Sequence, residues 1–347
     1  MFTSQHAGQR EFSAITRLNA PQLQVVAVLQ DDYDQPVRTI AFSPDSQTLV
    51  ASTLDSITLW HVEKQQRLAH TKMSALHLAY SPDGATLALA GREIIFLDPR
   101  TGKTKLTMKG HRNGTTGIAF SADNQLFASG GMDGLVTIGS LATRRLIANF
   151  EHQSQVRGLA FSPDGETLAT IAWGDPQSPR ALYLWQIRTG RKLAEIKCHT
   201  EKNLVFSADG RYLAVDGLIL DTNTLNERYD FKERMVAFSP DGALAATCRS
   251  DFNSIGLWDM HTGEQINLLK DHTQGIWSIA FSPDGRWLAS SSGKLDTRAI
   301  LKGADQASSS DNTVRLWGVE LEDTRPLRRV TGRLQSLPGK TKLLKRL

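Results

Sequence analysis

Seven copies of one short phrase, a period near forty residues and apolar runs punctuated by turn residues predict an all-β chain. The expected fold is a seven-bladed β-propeller with four antiparallel strands per blade. The phrase is an aromatic residue, Ser, Pro or Ala, Asp and usually Gly. It begins at Phe42, Tyr80, Phe120, Phe161, Phe206, Phe238 and Phe281. The spacings are 38, 40, 41, 45, 32 and 43 residues, which suit four short strands with their turns.

Each copy reads locally as a β-hairpin. An apolar run such as VRTIAF, ending at Phe42, enters the phrase, and a second such as TLVAS from Thr48 leaves it. Proline presets φ for the first central turn position, Asp follows, and Gly takes the left-handed position after a type I turn. Asn124 visits that conformation too, Ser46 less readily. A third strand comes next. Four of these end in Trp, at Trp60, Trp185, Trp258 and Trp317; the runs ending at Asp98, Ser140 and Asp221 do not. Turns such as RTGK at 100–103, RTGR at 188–191 and HTGE at 261–264 lead to a fourth, outer strand. The seventh copy lacks a fourth strand of its own. The unused run LQVVAVL at 23–29 is predicted to supply it, which would leave no open edge in the ring.

The Trp-ended third strands, and His111, His152, His199 and His272 before the first strands, resemble the WD-repeat (WD40) β-propeller family. The resemblance runs over about residues 22–319 and is best in the seventh repeat, DHTQGIWSIAFSPDGRWLASSS followed by DNTVRLWGV. It implies that His272, Ser290, Asp311 and Trp317 form a buried hydrogen-bond ladder rather than a catalytic triad. It also implies closure through the N-terminal strand and a scaffold that binds other proteins. The domain reading is a flexible N-terminal arm over 1–21, the propeller over 22–319 and a basic C-terminal tail over 320–347.

Composition narrows the function classes. No apolar stretch reaches the roughly 18–20 residues of a membrane span, and the N-terminus lacks a secretory run. Cys198 and Cys248 are too few for a disulfide framework and read as reduced core thiols, which suits a cytoplasmic location. SGGMDG at 129–134 leads into a strand, not a helix, so it reads as a hairpin turn rather than a phosphate cradle. The nine histidines show no metal-ligand spacing. No metal, cofactor or catalytic residue is expected.

Candidate contact residues fall in two groups. Four residues before the repeated aromatic stand Arg38, Leu76, Thr116, Arg157, Lys202, Arg234 and Trp277. In the family this position lies near the top mouth of the central channel. Strand alternation would let these side chains share a blade face with the aromatic and still reach the rim. Lys232 adds another charge. A cationic mouth suits an acidic protein surface or peptide, with Trp277 as an apolar anchor. The bland reading leaves these cations solvated or paired with Glu201 and Glu233. The second group is the tail. Residues 324–347 carry eight cations and no acid: Arg325, Arg328, Arg329, Arg333, Lys340, Lys342, Lys345 and Arg346. The rest of the chain then has 32 basic and 36 acidic residues, a net −4 against +4 for the whole. A short amphipathic helix over 339–347 could meet nucleic acid, acidic lipid or an acidic protein face; the bland reading is a disordered tail. Long turns at 172–180 and 292–310 depart from the repeat; low complexity at 303–310 reads as flexibility. The alternatives to a protein scaffold are a polyanion-binding module using rim and tail, and an enzyme with a central-channel site.

Overall fold

The structure is a computed structural model describing residues 11–31, 33, 35–174, 180–198, 203–248, 253–293 and 311–321. Seven antiparallel sheets follow one another along the chain. Blade 1 runs through Thr39–Phe42, Thr48–Ser52, Ile57–His61 and Gln66–Thr71. Blades 2 to 6 repeat this order. Blade 7 contributes Ile276–Phe281, Leu288–Ser292 and Val314–Glu320, and Gln24–Leu29 completes it by pairing with its third strand. The inner strand of every blade contacts that of the next, blade 7 with blade 1 included, so the ring is closed. This is a seven-bladed β-propeller.

The core is distributed rather than central. Seven buried apolar clusters occupy the seven seams between blades. At the seam between blades 4 and 5, for example, Ile171 and Leu182 meet Leu213 and Val215. No sheet could bury both flanks by itself, which is why repeats of this kind need neighbours.

One turn mechanism serves all seven blades. The Ser hydroxyl of the repeated phrase donates to the Asp two residues on, at 2.5–2.6 Å, from Ser43–Asp45 through to Ser282–Asp284. The same oxygen accepts the backbone N–H five residues on, at 2.9 Å, as from Thr48 and Trp287. A side-chain clasp of this kind fixes the hairpin without help from the rest of the fold. Where Gly is missing, Asn124 and Ser46 both take φ of +59°. Ser46 is held there because its hydroxyl accepts the Asp284 N–H of blade 7.

The N-terminal expectation needs correction. Residues 11–22 are no loose arm: Phe12 and Ser13 pair with Glu320 and Val319, and Ile15 and Ala20 are buried. The Ile15 N–H reaches the Gly285 carbonyl, Phe12 packs on Trp287 with ring centroids 4.4 Å apart, and Arg17 pairs with Asp259 at 2.7 Å. A strap anchored by a few side chains and main-chain bonds has no periodicity to announce it. Residues 1–10, 294–310 and 322–347 lie outside the described residues.

Candidate functional site on the top face

The hairpins with the Ser–Asp clasp form one face of the ring, here the bottom. The crossovers into each inner strand, and the turns between second and third strands, form the top. Side chains at the start of an inner strand therefore stand at the top mouth of the channel.

Simple alternation does not aim them. Val156 and Gly158 pair with Ala172 and Ile171, so Arg157 sits in a β-bulge. Thr116 and Trp277 occupy the same bulge in blades 3 and 7. A bulge sets two residues against one and re-aims the extra side chain. Blade 6 differs: there the bulge falls on Met235, at φ +47°, and Arg234 keeps a ladder position.

Two of the expected rim cations lie over indole rings. The Arg38 guanidinium lies 5.3 Å from the Trp277 ring centroid, bringing blades 1 and 7 together. The Trp277 N–H donates to the Gly293 carbonyl at 2.7 Å, which fixes the ring. In blade 4, Arg157 lies 5.0 Å from the Trp173 ring and Arg180 4.0 Å from it. Among the described residues neither Arg38 nor Arg157 pairs with a carboxylate, and the Nε of each is hidden without an acceptor. Burial lowers the Arg38 pKa. The two clusters stand three blades apart either way round the ring.

The remaining candidates do not join them. Lys232 is exposed and its ammonium pairs with Asp230 beside it. Arg234 is exposed. Thr116 is used within the fold, donating to the Gly130 and Val156 carbonyls. Leu76 is part-buried at the mouth. Lys202, Glu201 and His199 lie outside the described residues, as do Arg325, Arg328, Arg329, Arg333, Lys340, Lys342, Lys345 and Arg346 of the tail.

Sequence reasoning passed over Trp173 and Arg180, although it noted the long turn that holds them. The available signal was tryptophan placement. Trp60, Trp185, Trp258 and Trp317 end third strands, and Trp287 is buried beneath Phe12. Only Trp173 and Trp277 remain, and both carry a guanidinium on the top face.

Blade 7 also holds the ladder residues. His272 Nε2 is 2.7 Å from Ser290 Oγ, which accepts the Trp317 N–H at 2.8 Å. His272 Nδ1 is 3.3 Å from Asp311 and 2.7 Å from Arg315 Nη1. Burial would raise the Asp311 carboxyl, but hydrogen bonds from His272, Arg315, Thr313 and the Thr273 backbone hold it far below the usual range. Burial also lowers His272. Ser290 is fully buried, so this is an internal polar network, with no hydroxyl open to a substrate. Blade 4 keeps a shorter form, in which Thr170 Oγ1 meets both His152 and Trp185. In blade 1 the Trp60 N–H reaches Tyr33 instead, at 3.1 Å. Residues 129–131 end the strand Leu126–Gly131, and 132–134 turn the chain into Leu135–Ser140. Cys198 and Cys248 are buried and unbridged. No helix among the described residues is long and apolar enough to cross a membrane.

Comparison with known proteins agrees with this geometry. The repeat model described as WD domain, G-beta repeat matches residues 23–61, 102–138, 144–174 and 263–301. Protein FIZZY-RELATED 1 of Arabidopsis thaliana is 22% identical over 87% of this chain and 54% of its own length. WD repeat-containing protein 1 of Rattus norvegicus is 28% identical over 56% of this chain and 32% of its own. The chain thus spans between about a third and just over half the length of these relatives. The solved structure of U3-55K aligns with a TM-score of 0.70 at 19% identity, covering 85% of this chain and 98% of that one, and shows the same fold. The phrase recurs in sequence, the blades close into a ring and four segments match the WD-repeat model, so this chain is a β-propeller that carries WD repeats.

Proposed function

We propose that the chain is a non-catalytic protein-interaction scaffold whose top face recruits acidic protein partners. The carrying observation is the pair of rim tryptophans, one beneath Arg38 and one beneath Arg157, two guanidinium groups that pair with no carboxylate among the described residues. Trp and Arg on a rigid frame are the residue types that dominate binding hot spots, and cations beside low-dielectric walls draw negative charge. A cytoplasmic location belongs to the same reading, supported by two buried cysteines that form no disulfide. The alternative of a polyanion-binding module loses one of its rim cations, since Lys232 is already paired with Asp230.

The test is quantitative affinity capture with the intact chain, an Arg38→Glu/Arg157→Glu variant and a form lacking 324–347. The rim variant is expected to lose partners that the truncated form retains. If both forms retain every partner of the intact chain, the top-face reading fails. Loss confined to the truncated form, with binding to RNA or anionic vesicles that collapses as salt rises, would move the function to the tail.

A further inference from the structure

At the bottom of the seam between blades 2 and 3, a pocket of about 210 Å³ opens to solvent. Its walls are the Phe96 and Phe127 rings, edge to face with centroids 5.2 Å apart, together with Leu106 and Leu141. Lys105 and Arg144 also line it, both exposed, and no acid does. We propose that this pocket binds a small aromatic carboxylate, with its ring between the apolar walls and its carboxylate against the two cations. The site lies away from the top face and does not depend on the reading of that face.

Two departures of blade 3 from its sister blades make the pocket. Across the second and third strands, blades 1, 4 and 7 set Leu against Trp, as Leu49–Trp60, Leu168–Trp185 and Leu288–Trp317. Each of these indoles packs into the seam with the preceding blade. Blade 3 sets Phe127 against Gly139 instead. The Phe127 ring takes the space over Gly139, but Phe and Gly together are smaller than Leu and Trp, and the remainder stays open. The second departure is on the outer strand. Opposite the third-strand Trp, blades 1, 4 and 6 carry Arg67, Lys192 and Gln265. Blade 3 carries Leu146 opposite Gly139, and it is 52% exposed. Paired residues share a sheet face, so apolar surface continues outward on the face that holds Phe127.

Size and charge select the occupant. An apolar cavity of about 150 Å³ holds benzene, so this pocket takes one ring or two fused rings rather than a folded surface. Phenyl walls favour an aromatic guest through edge and face contacts. Lys105 Nζ donates to the Ala85 carbonyl at 2.7 Å, and an ammonium keeps two further donors. Asp83 and Asp98 lie within its field but do not ion-pair with it. Asp83 is bound by the Ser81 hydroxyl, the Ala85 N–H and Asn124, and Asp98 by the Arg100 and Thr101 N–H groups. The Arg144 guanidinium pairs with no carboxylate among the described residues. A carboxylate at the mouth would therefore take charge-assisted hydrogen bonds that the fold leaves unmade. Arg144 also holds φ of +58°, at the turn position where blades 2, 4 and 6 have Gly102, Gly190 and Gly263. Arg144→Gly thus removes the cation and suits the backbone better than the native residue.

The test follows the leucine methyl signals of the isotope-labelled full chain by NMR, assigning the two pocket leucines with Leu106→Met and Leu141→Met. The probe is naphthalene-2-carboxylate, and its neutral control is naphthalene-2-carboxamide. The carboxylate is expected to shift the Leu106 and Leu141 signals saturably, with the amide about tenfold weaker. Arg144→Gly and Lys105→Gln should each weaken the carboxylate about fivefold, as loss of one part-exposed ion pair does, and leave the amide unchanged. The other leucine signals and an undiminished Tm show that both variants are folded. Pocket signals unmoved by low-millimolar carboxylate, equal affinity for the amide, or full affinity in the Arg144→Gly/Lys105→Gln double variant overturns the proposal. Shifts confined to leucines outside the pocket overturn it as well.

Discussion

Ser290 illustrates how much one buried hydroxyl carries. It meets both the Trp317 indole N–H and the His272 ring, and is fully buried. Ser290→Ala strands both nitrogens, and the expected cost is about 1–3 kcal/mol, read as a lower urea midpoint at unchanged slope; Ser290→Thr should recover part of it. These four ladder residues were legible because the seventh repeat keeps every one. Blade 3 was not legible in this way. There Gly139 stands at the register position of the third-strand Trp, and the Phe127 ring fills the volume, only 2.3 Å from where a Cβ on Gly139 would lie. Compensation between two strands leaves no mark on either strand read alone. His152 gives a pH prediction. Burial holds it at about 4, against 6.5 for a free imidazole. The unfolded chain therefore binds the proton more readily, so this contribution is complete above about pH 6.5 and is lost as pH falls toward about 4. His77, also held at about 4 by burial, acts with the same sign. The urea midpoint should decline across that window, and His152→Gln should flatten part of the decline.

At the scale of the strand, turn chemistry carried most of the information. Ser and Asp two residues apart clasp their own backbone, so each hairpin follows from five residues of local sequence. The missing fourth strand of blade 7 was legible by counting, and Gln24–Leu29 fills it in the register Gln24↔Gly318 to Leu29↔Val314. The rim was read less well. Unbroken alternation would aim these side chains differently, and the bulges at Thr116, Arg157 and Trp277 break it. Trp173 escaped because it follows the repeat rather than belonging to it. The closing strand makes the sharpest element-level prediction. Removing residues 1–30 strips the N-terminal strap and strand together and bares the edge of Val314–Glu320. A lower Tm, with light scattering that grows with protein concentration, is expected because unpaired edges seek other chains. A monomer of unchanged Tm would show that the closing strand contributes little.

For the whole ring, the apolar core is divided among seven seams, the two beside blade 7 being the largest, and every blade owes one flank to each neighbour. Opening any blade exposes two seams at once. Phe127→Ala in blade 3 and Ser290→Ala in blade 7 should therefore each lower one calorimetric transition for the entire molecule, without creating a second. Two resolved transitions in either variant would mean that the ring melts in sections. That shared core was visible in the sequence only as seven similar phrases; which faces meet was not, because no phrase states its neighbour.

The pairing of Gln24–Leu29 with Val314–Glu320 also sets a schedule on the ribosome. At about 5–20 residues per second, the earlier segment emerges roughly 15–60 seconds before its mate has been translated. Throughout that interval blade 1 has no seventh blade to lean on, and a stretch of unsatisfied main chain waits for its partner. Shielding by a chaperone, or a pause-sensitive yield when codons near position 314 are slowed, is the cellular signature to seek.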